Sequence, residues 1–180
     1  MGTCTLARIV MPATLIALFA TYPAAQQSEP LIGTWVLNVA KSTFSPGPPP
    51  QSESHTYVLE GQQTKMTAKG VSEPRTYLTV RQEIKATFTG RDANGTPTLR
   101  EWTIVYDGKD RPTTGDADAD SVSLRRTDPF TAECTRKRAG RVVITDTRVI
   151  SSDGSTMTIT THGINAKGQA IDDVLVLEKQ

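Results

Sequence analysis

Few residues in this chain are suited to covalent or metal chemistry. Among 180 residues there are two cysteines, two histidines and only 6% aromatics. Cys4 lies ahead of an apolar run near the N-terminus, so Cys134 stands alone in the rest of the chain and no internal disulfide is expected. A single buried thiol is most simply a small hydrophobe. Charge of one sign is lacking too. Twenty basic against nineteen acidic residues leave a net charge of +1, too little for a nucleic-acid binder, which needs a basic excess on one face. Long amphipathic helical stripes are also missing, and only one apolar run, from Ile9 to Ala20, exceeds ordinary strand length.

That run follows Arg8 and ends in small residues at Pro23, Ala24 and Ala25, the layout of a secretory signal peptide. It is short for a membrane span, and Pro12 interrupts it. The expected organisation is a signal peptide over residues 1–25, a flexible lead-in over 26–31 and a single domain over 32–180. Cleavage leaves a net-neutral exported chain, periplasmic or extracellular, with no stable membrane span and enough length for a sizeable core.

Two-residue alternation dominates the chain from Gly33 onward. Trp35, Leu37 and Val39 share one side of a strand, as do His55, Tyr57 and Leu59, then Thr64, Met66 and Ala68. Between Thr76 and Phe88, Leu78, Val80, Ile84 and Phe88 alternate. Tyr77, Val80, Ile84 and Phe88 also fit a helical stripe, but the threonines favour a strand. Trp102, Ile104 and Tyr106 align, as do Val122, Leu124 and Arg126, and further strands run to the C-terminus. The fold class is all-β.

Turn residues indicate how the strands connect. Asp153 and Gly154 in SSDGS read as a tight hairpin. GRDANGTP and GINAKGQA share the pattern G-x-[Asp/Asn]-A-x-G-x-[Pro/Ala], either one turn solution used twice or two ordinary turns that converge. Consecutive antiparallel strands with these connections must deal with their edges. Closure into an up-and-down barrel of about 8 to 10 strands does so; an open two-sheet sandwich is the architectural rival.

Three blocks carry a resemblance. GTWVLNVAKSTFSPGPPP, YDGKDRPTTGDADAD with SVSLRR, and RVVITDTRVISSDGSTMTITTHGINAKGQA resemble exported bacterial proteins of unknown function described as lipocalin-like. The resemblance implies a small antiparallel barrel and brings no catalytic site or ligand. The segment from Gly70 to Ile84 fits none of the blocks and reads as a local elaboration. In lipocalins a G-x-W opens the first strand, its tryptophan closing one barrel end under a basic residue of the last strand. Gly33, Trp35 and Lys179 are the matching positions, with Lys179 matched by position. Pro46, Pro48, Pro49 and Pro50 are expected to stiffen the link to the next strand.

Catalytic and metal motifs are lacking. There is no G-x-S-x-G elbow, and Asp172 and Asp173 are adjacent and so point to opposite faces of a strand. His55 and His162 have no partner at ligand spacing. Asp116, Asp118 and Asp120 begin like a calcium loop, but Ser121 and Thr127 occupy the positions where glycine and glutamate are required. No cofactor or metal is expected, and an enzymatic reading has no sequence anchor.

A pocket remains possible. Val142, Ile144, Asp146, Arg148 and Ile150 share a face, as do Phe130, Ala132, Cys134, Arg136 and Arg138. Turned outward, the norm for strand charges, Arg136, Asp146 and Arg148 form exposed cross-strand pairs. Turned inward, they are semi-buried, and an arginine there can receive an acidic headgroup. Tyr57, Trp102 and Tyr106 are further candidate lining residues. The leading expectation is a binder of a small hydrophobic or acidic ligand in or at the mouth of the barrel. Its rivals are a solid-cored interaction protein and a hydrolase or isomerase at the barrel mouth. A barrel interior filled by side chains, with no pocket of roughly 300 Å³ or more, rules the binder out.

Overall fold

The computed structural model describes residues 29–67 and 76–180. The expected signal peptide, most of the expected lead-in, Ala68 and part of the Gly70–Ile84 segment lie outside the described residues.

Ten antiparallel strands form among the described residues. They are β1 (Gly33–Leu37), β2 (Ser52–Thr67), β3 (Thr76–Arg91), β4 (Pro97–Ile104), β5 (Arg111–Thr114), β6 (Ser121–Asp128), β7 (Thr131–Arg138), β8 (Arg141–Ile150), β9 (Thr156–Ile164) and β10 (Ala170–Lys179). Each pairs with its sequence neighbour, and β1 pairs with β10 to close the barrel. The threonine-rich segment from Thr76 is therefore strand throughout, and the helical stripe it contains is incidental.

Period two sends one face of each strand inward. Trp35, Leu37, Tyr57, Ile84, Ala86, Phe88, Trp102, Ile104, Val122, Leu124, Cys134, Met157, Ile159 and Leu177 build one continuous core. The alternation stops where neighbours stop. Val39 leaves the strand for a short 3-10 turn, Val39–Lys41, whose Asn38 cap accepts from the Lys41 amide at 3.1 Å. Leu59 is exposed because β1 ends its pairing with β2 at Gly33–Tyr57, and β2 runs on past that point. Val142 is exposed as well. It pairs with Lys137 at a register shift, which takes it off the inward row that starts at Ile144.

One end of the barrel is plugged. Trp35 is fully buried; its indole Nε1 donates to the Leu31 carbonyl at 2.9 Å, and Lys179 Nζ lies 5.0 Å from the ring centre. Trp35 and Lys179 are register partners. Leu31, assigned from sequence to a flexible lead-in, is itself part of the core, so the folded unit begins before residue 32.

The two similar turns adopt one geometry. Asp92 Oδ1 accepts from the amides of Asn94 and Thr96, and Asn165 Oδ1 accepts from those of Lys167 and Gln169. Both turns also close with the same pair of backbone bonds, Gly95 N to Asp92 O and Gly168 N to Asn165 O among them. Both sit at the end of the barrel opposite Trp35, with the proline tract and the Asp116–Asp120 loop.

Candidate functional site

Arg136, Asp146 and Arg148 all face the barrel interior, each less than 8% exposed. The outward reading is therefore corrected, and the reason is register. Asp146 and Arg148 sit between Ile144 and Ile150 on β8, and Arg136 follows Ala132 and Cys134 on β7. Burying those apolar residues carries the intervening charges inward with them.

Inside, the charges are arranged rather than paired at random. Asp146 Oδ1 accepts from Thr161 Oγ1 at 2.8 Å and from Arg136 Nη2 at 3.3 Å. Asp116, from the mouth loop, approaches Arg136 Nη1 at 3.7 Å. Across the barrel, Glu53 Oε1 lies 2.8 Å from His55 Nε2 and also accepts from Arg100 Nη2. His55 Nδ1 is 3.3 Å from the Tyr57 hydroxyl, which accepts from Arg148 Nη1 at 3.2 Å.

Protonation follows from burial. Burial lowers the pKa of His55 against the opposing pull of Glu53, so the ring is neutral at pH 7. A neutral ring with its proton on Nε2 donates to Glu53 and leaves Nδ1 to accept from Tyr57. Burial pushes Tyr57 up to about 12, so it keeps the proton that it donates. For Glu53, burial raises the pKa, but the His55 hydrogen bond and the Arg100 charge outweigh it and hold the group at about 2. The result is a directed chain from Arg148 through Tyr57 and His55 that ends on Glu53, where Arg100 donates from the other side.

This array borders a chamber of about 50 Å³ lined by Glu53, His55, Phe88, Trp102, Arg136 and Arg148, among others. Glu53, Arg100, Arg136, Thr161 and Leu175 line both the chamber and a larger cavity of about 430 Å³ at the open end. The chamber is thus the floor of the mouth. Phe44, Pro46, Pro48 and Pro50 wall that mouth on one side; Ala117, Asp118, Ala166 and Lys167 from the facing loops wall it on the other. Asp118 Oδ1 ties the loops together by accepting from the Ala166 amide at 2.8 Å, and Asp173 Oδ1 holds the proline tract through the Ser45 amide at 2.7 Å.

The candidates read from sequence divide accordingly. Trp102, Arg136, Asp146 and Arg148 line the chamber, and Tyr57 supports Arg148 from beside it. Tyr106 does not line the chamber; it is half-buried toward the plugged end, under the Arg126 guanidinium at 4.0 Å, where it and Arg148 border the same narrow gap. Glu53 and Arg100 were missed, although the alternation in Glu53-Ser54-His55-Thr56-Tyr57 puts Glu53 on the same face as His55 and Tyr57. The proline tract, read as a stiffener, also lines the mouth. Among the described residues, no three or more His, Cys, Asp or Glu gather into a metal-binding group. Comparison with family models, curated proteins and solved structures gave no match for this chain.

Proposed function

We propose that this chain is an exported lipocalin-like protein that binds a small, partly apolar molecule at the mouth of its barrel. The observation that carries the reading is the 430 Å³ cavity, within the range that holds a small ligand, with Phe44, the prolines and Leu175 as an apolar wall facing a mixed wall that includes Asp118 and Lys167, over a polar floor. The body of the ligand sits at the mouth and not in the barrel, because core side chains fill the interior down to the 50 Å³ chamber.

That filled interior is what favours a solid-cored interaction barrel, and occupancy of the mouth separates the two readings. An enzymatic reading gains Glu53 and Tyr57, each within hydrogen-bond reach of His55. Each is already engaged, however, and a phenol at about 12 is poorly matched to proton transfer near neutral pH. The array holds side chains in place.

Native mass spectrometry of the purified exported protein tests the proposal. The wild type is expected to carry a small-molecule adduct, and Ala117→Trp, which fills the mouth from an exposed loop position, is expected to lose it. A wild type without any adduct, or an adduct that persists in the folded variant, overturns mouth binding.

A further inference from the structure

We propose that the ligand presents a carboxylate to Arg148 on the chamber floor, with Trp102 Nε1 and Arg136 Nε as accompanying donors. The inference rests on the mouth-binding reading above and names the chemistry of the end that enters first.

Arg148 is the starting point. It is 4% exposed, its hydrogen bond goes to a neutral phenol, and it forms no ion pair with any described carboxylate. Burial works against its charge; Tyr57, Cys134 and the Asp146 charge offset that burial, but none of them meets the guanidinium in an ion pair. The nearby carboxylates are committed elsewhere: Asp146 to Thr161 and Arg136, Glu53 to His55 and Arg100. With Asp116 beside Arg136 at 3.7 Å, three arginines face three carboxylates around the chamber, and Arg148 is the one of these arginines without an ion pair to a described carboxylate.

The second observation is independent of charge. Trp102 Nε1, Arg136 Nε and Arg148 Nε are buried without a hydrogen-bond acceptor. Buried donors are nearly always partnered, and three such donors on residues lining one chamber point to an acceptor that comes from outside. Their residues are mutually positioned, with the Arg148 and Arg136 guanidinium carbons 5.1 Å and 5.9 Å from the Trp102 ring centre.

Size completes the assignment. About 50 Å³ holds a few water-sized groups, enough for a carboxylate and too little for a hydrocarbon body. The body is left beside Phe44, Pro46, Pro48 and Leu175 at the mouth. An arginine meeting a carboxylate in this setting forms the shorter, charge-assisted kind of hydrogen bond.

The test is calorimetric titration of the full chain with octanoate, octanol and acetate. Octanoate is expected to bind about ten-fold or more tightly than octanol, with Arg148→Met bringing the two together. Equal affinity of the wild type for octanoate and octanol overturns the carboxylate assignment and leaves mouth binding standing. Acetate binding alone supports the chamber and overturns the mouth; no binding of any of the three overturns both. If Arg148→Met does not fold, Trp102→Phe keeps a ring and removes one donor. It is expected to weaken octanoate about five-fold and leave octanol unchanged. An octanoate preference that survives both variants sinks the assignment.

Discussion

Arg148 and Tyr57 stand 91 positions apart in the chain and meet inside the barrel, the guanidinium donating to the phenol oxygen at 3.2 Å. The pairing orients the cation without neutralising it. Side chains that only stabilise a fold are seldom left in that condition.

Replacing Arg148 by methionine should therefore leave stability unchanged or raise it, by up to about 3 kcal/mol, because a buried guanidinium without a direct ion pair gives way to an apolar side chain of similar length. Urea unfolding followed by circular dichroism measures this. A loss of more than about 2 kcal/mol would identify Arg148 as part of the fold's own support.

Acid should destabilise the protein over two pH ranges. Both His55 and Glu53 have folded-state pKa values below their ordinary 6.5 and 4.5. The folded state therefore binds fewer protons, and stability is greatest above pH 6.5. It declines below that as unfolded histidine protonates, then again between 4.5 and about 2 as unfolded glutamate does. The Glu53 stage amounts to about 3 kcal/mol. Unfolding curves across this range should flatten below pH 4.5 in Glu53→Gln, and an unchanged acid limb in that variant contradicts the assignment.

Gly163 has no room for a methyl group. A Cβ there meets the Val143 carbonyl oxygen at 2.2 Å and the Ile144 Cα at 2.7 Å, both backbone atoms that cannot swing away. Gly163→Ala is expected to cost about 2–3 kcal/mol. Gly61→Ala is the control, since nothing lies within 4 Å of its Cβ, and it should stay within about 0.5 kcal/mol of wild type. Equal midpoints for the two variants contradict the close approach of β8 and β9.

Cys134 should be inert in the folded state. Burial pushes its thiol up to about 12, and it is 1% exposed. With Cys4 replaced by serine, an aromatic disulfide reagent at mild alkaline pH should react only after denaturant is added. Rapid labelling of the native protein would mean that β6 and β7 open readily.

Much of the architecture was legible because strand periodicity is a local property. Trp35 under Lys179 could be anticipated from the first and last strands, and the turns at Asp92 and Asn165 from their side chains and glycines. The inward turn of Asp146 and Arg148 could not be read from one strand, because alternation defines two faces and not which of them meets the core. The decisive residues were the flanking Ile144, Ile150, Ala132 and Cys134.

The polar network was harder to read. Glu53 was overlooked since its value comes from Arg100, which reaches it from β4 across β3. Tyr57 and Arg148 are joined only by curvature, which brings opposite walls together. The mouth was hidden for the same reason: its wall of prolines is rigid in any fold, but its opposite wall comes from loops more than sixty residues downstream.

Closure by β1 and β10 also sets the order in which the chain can fold. Every other strand pair links neighbours in sequence, so hairpins can zip as soon as both their strands are available, at little loop-closure cost. The seam is the exception, and it waits for β10. Until Leu177 and Lys179 arrive opposite Leu37 and Trp35, the tryptophan plug has no cover and the sheet keeps two open edges. The 177–179 stretch of β10 is thus the latch of the barrel, and the interval before it engages is when the chain is most exposed to pairing with another copy of itself.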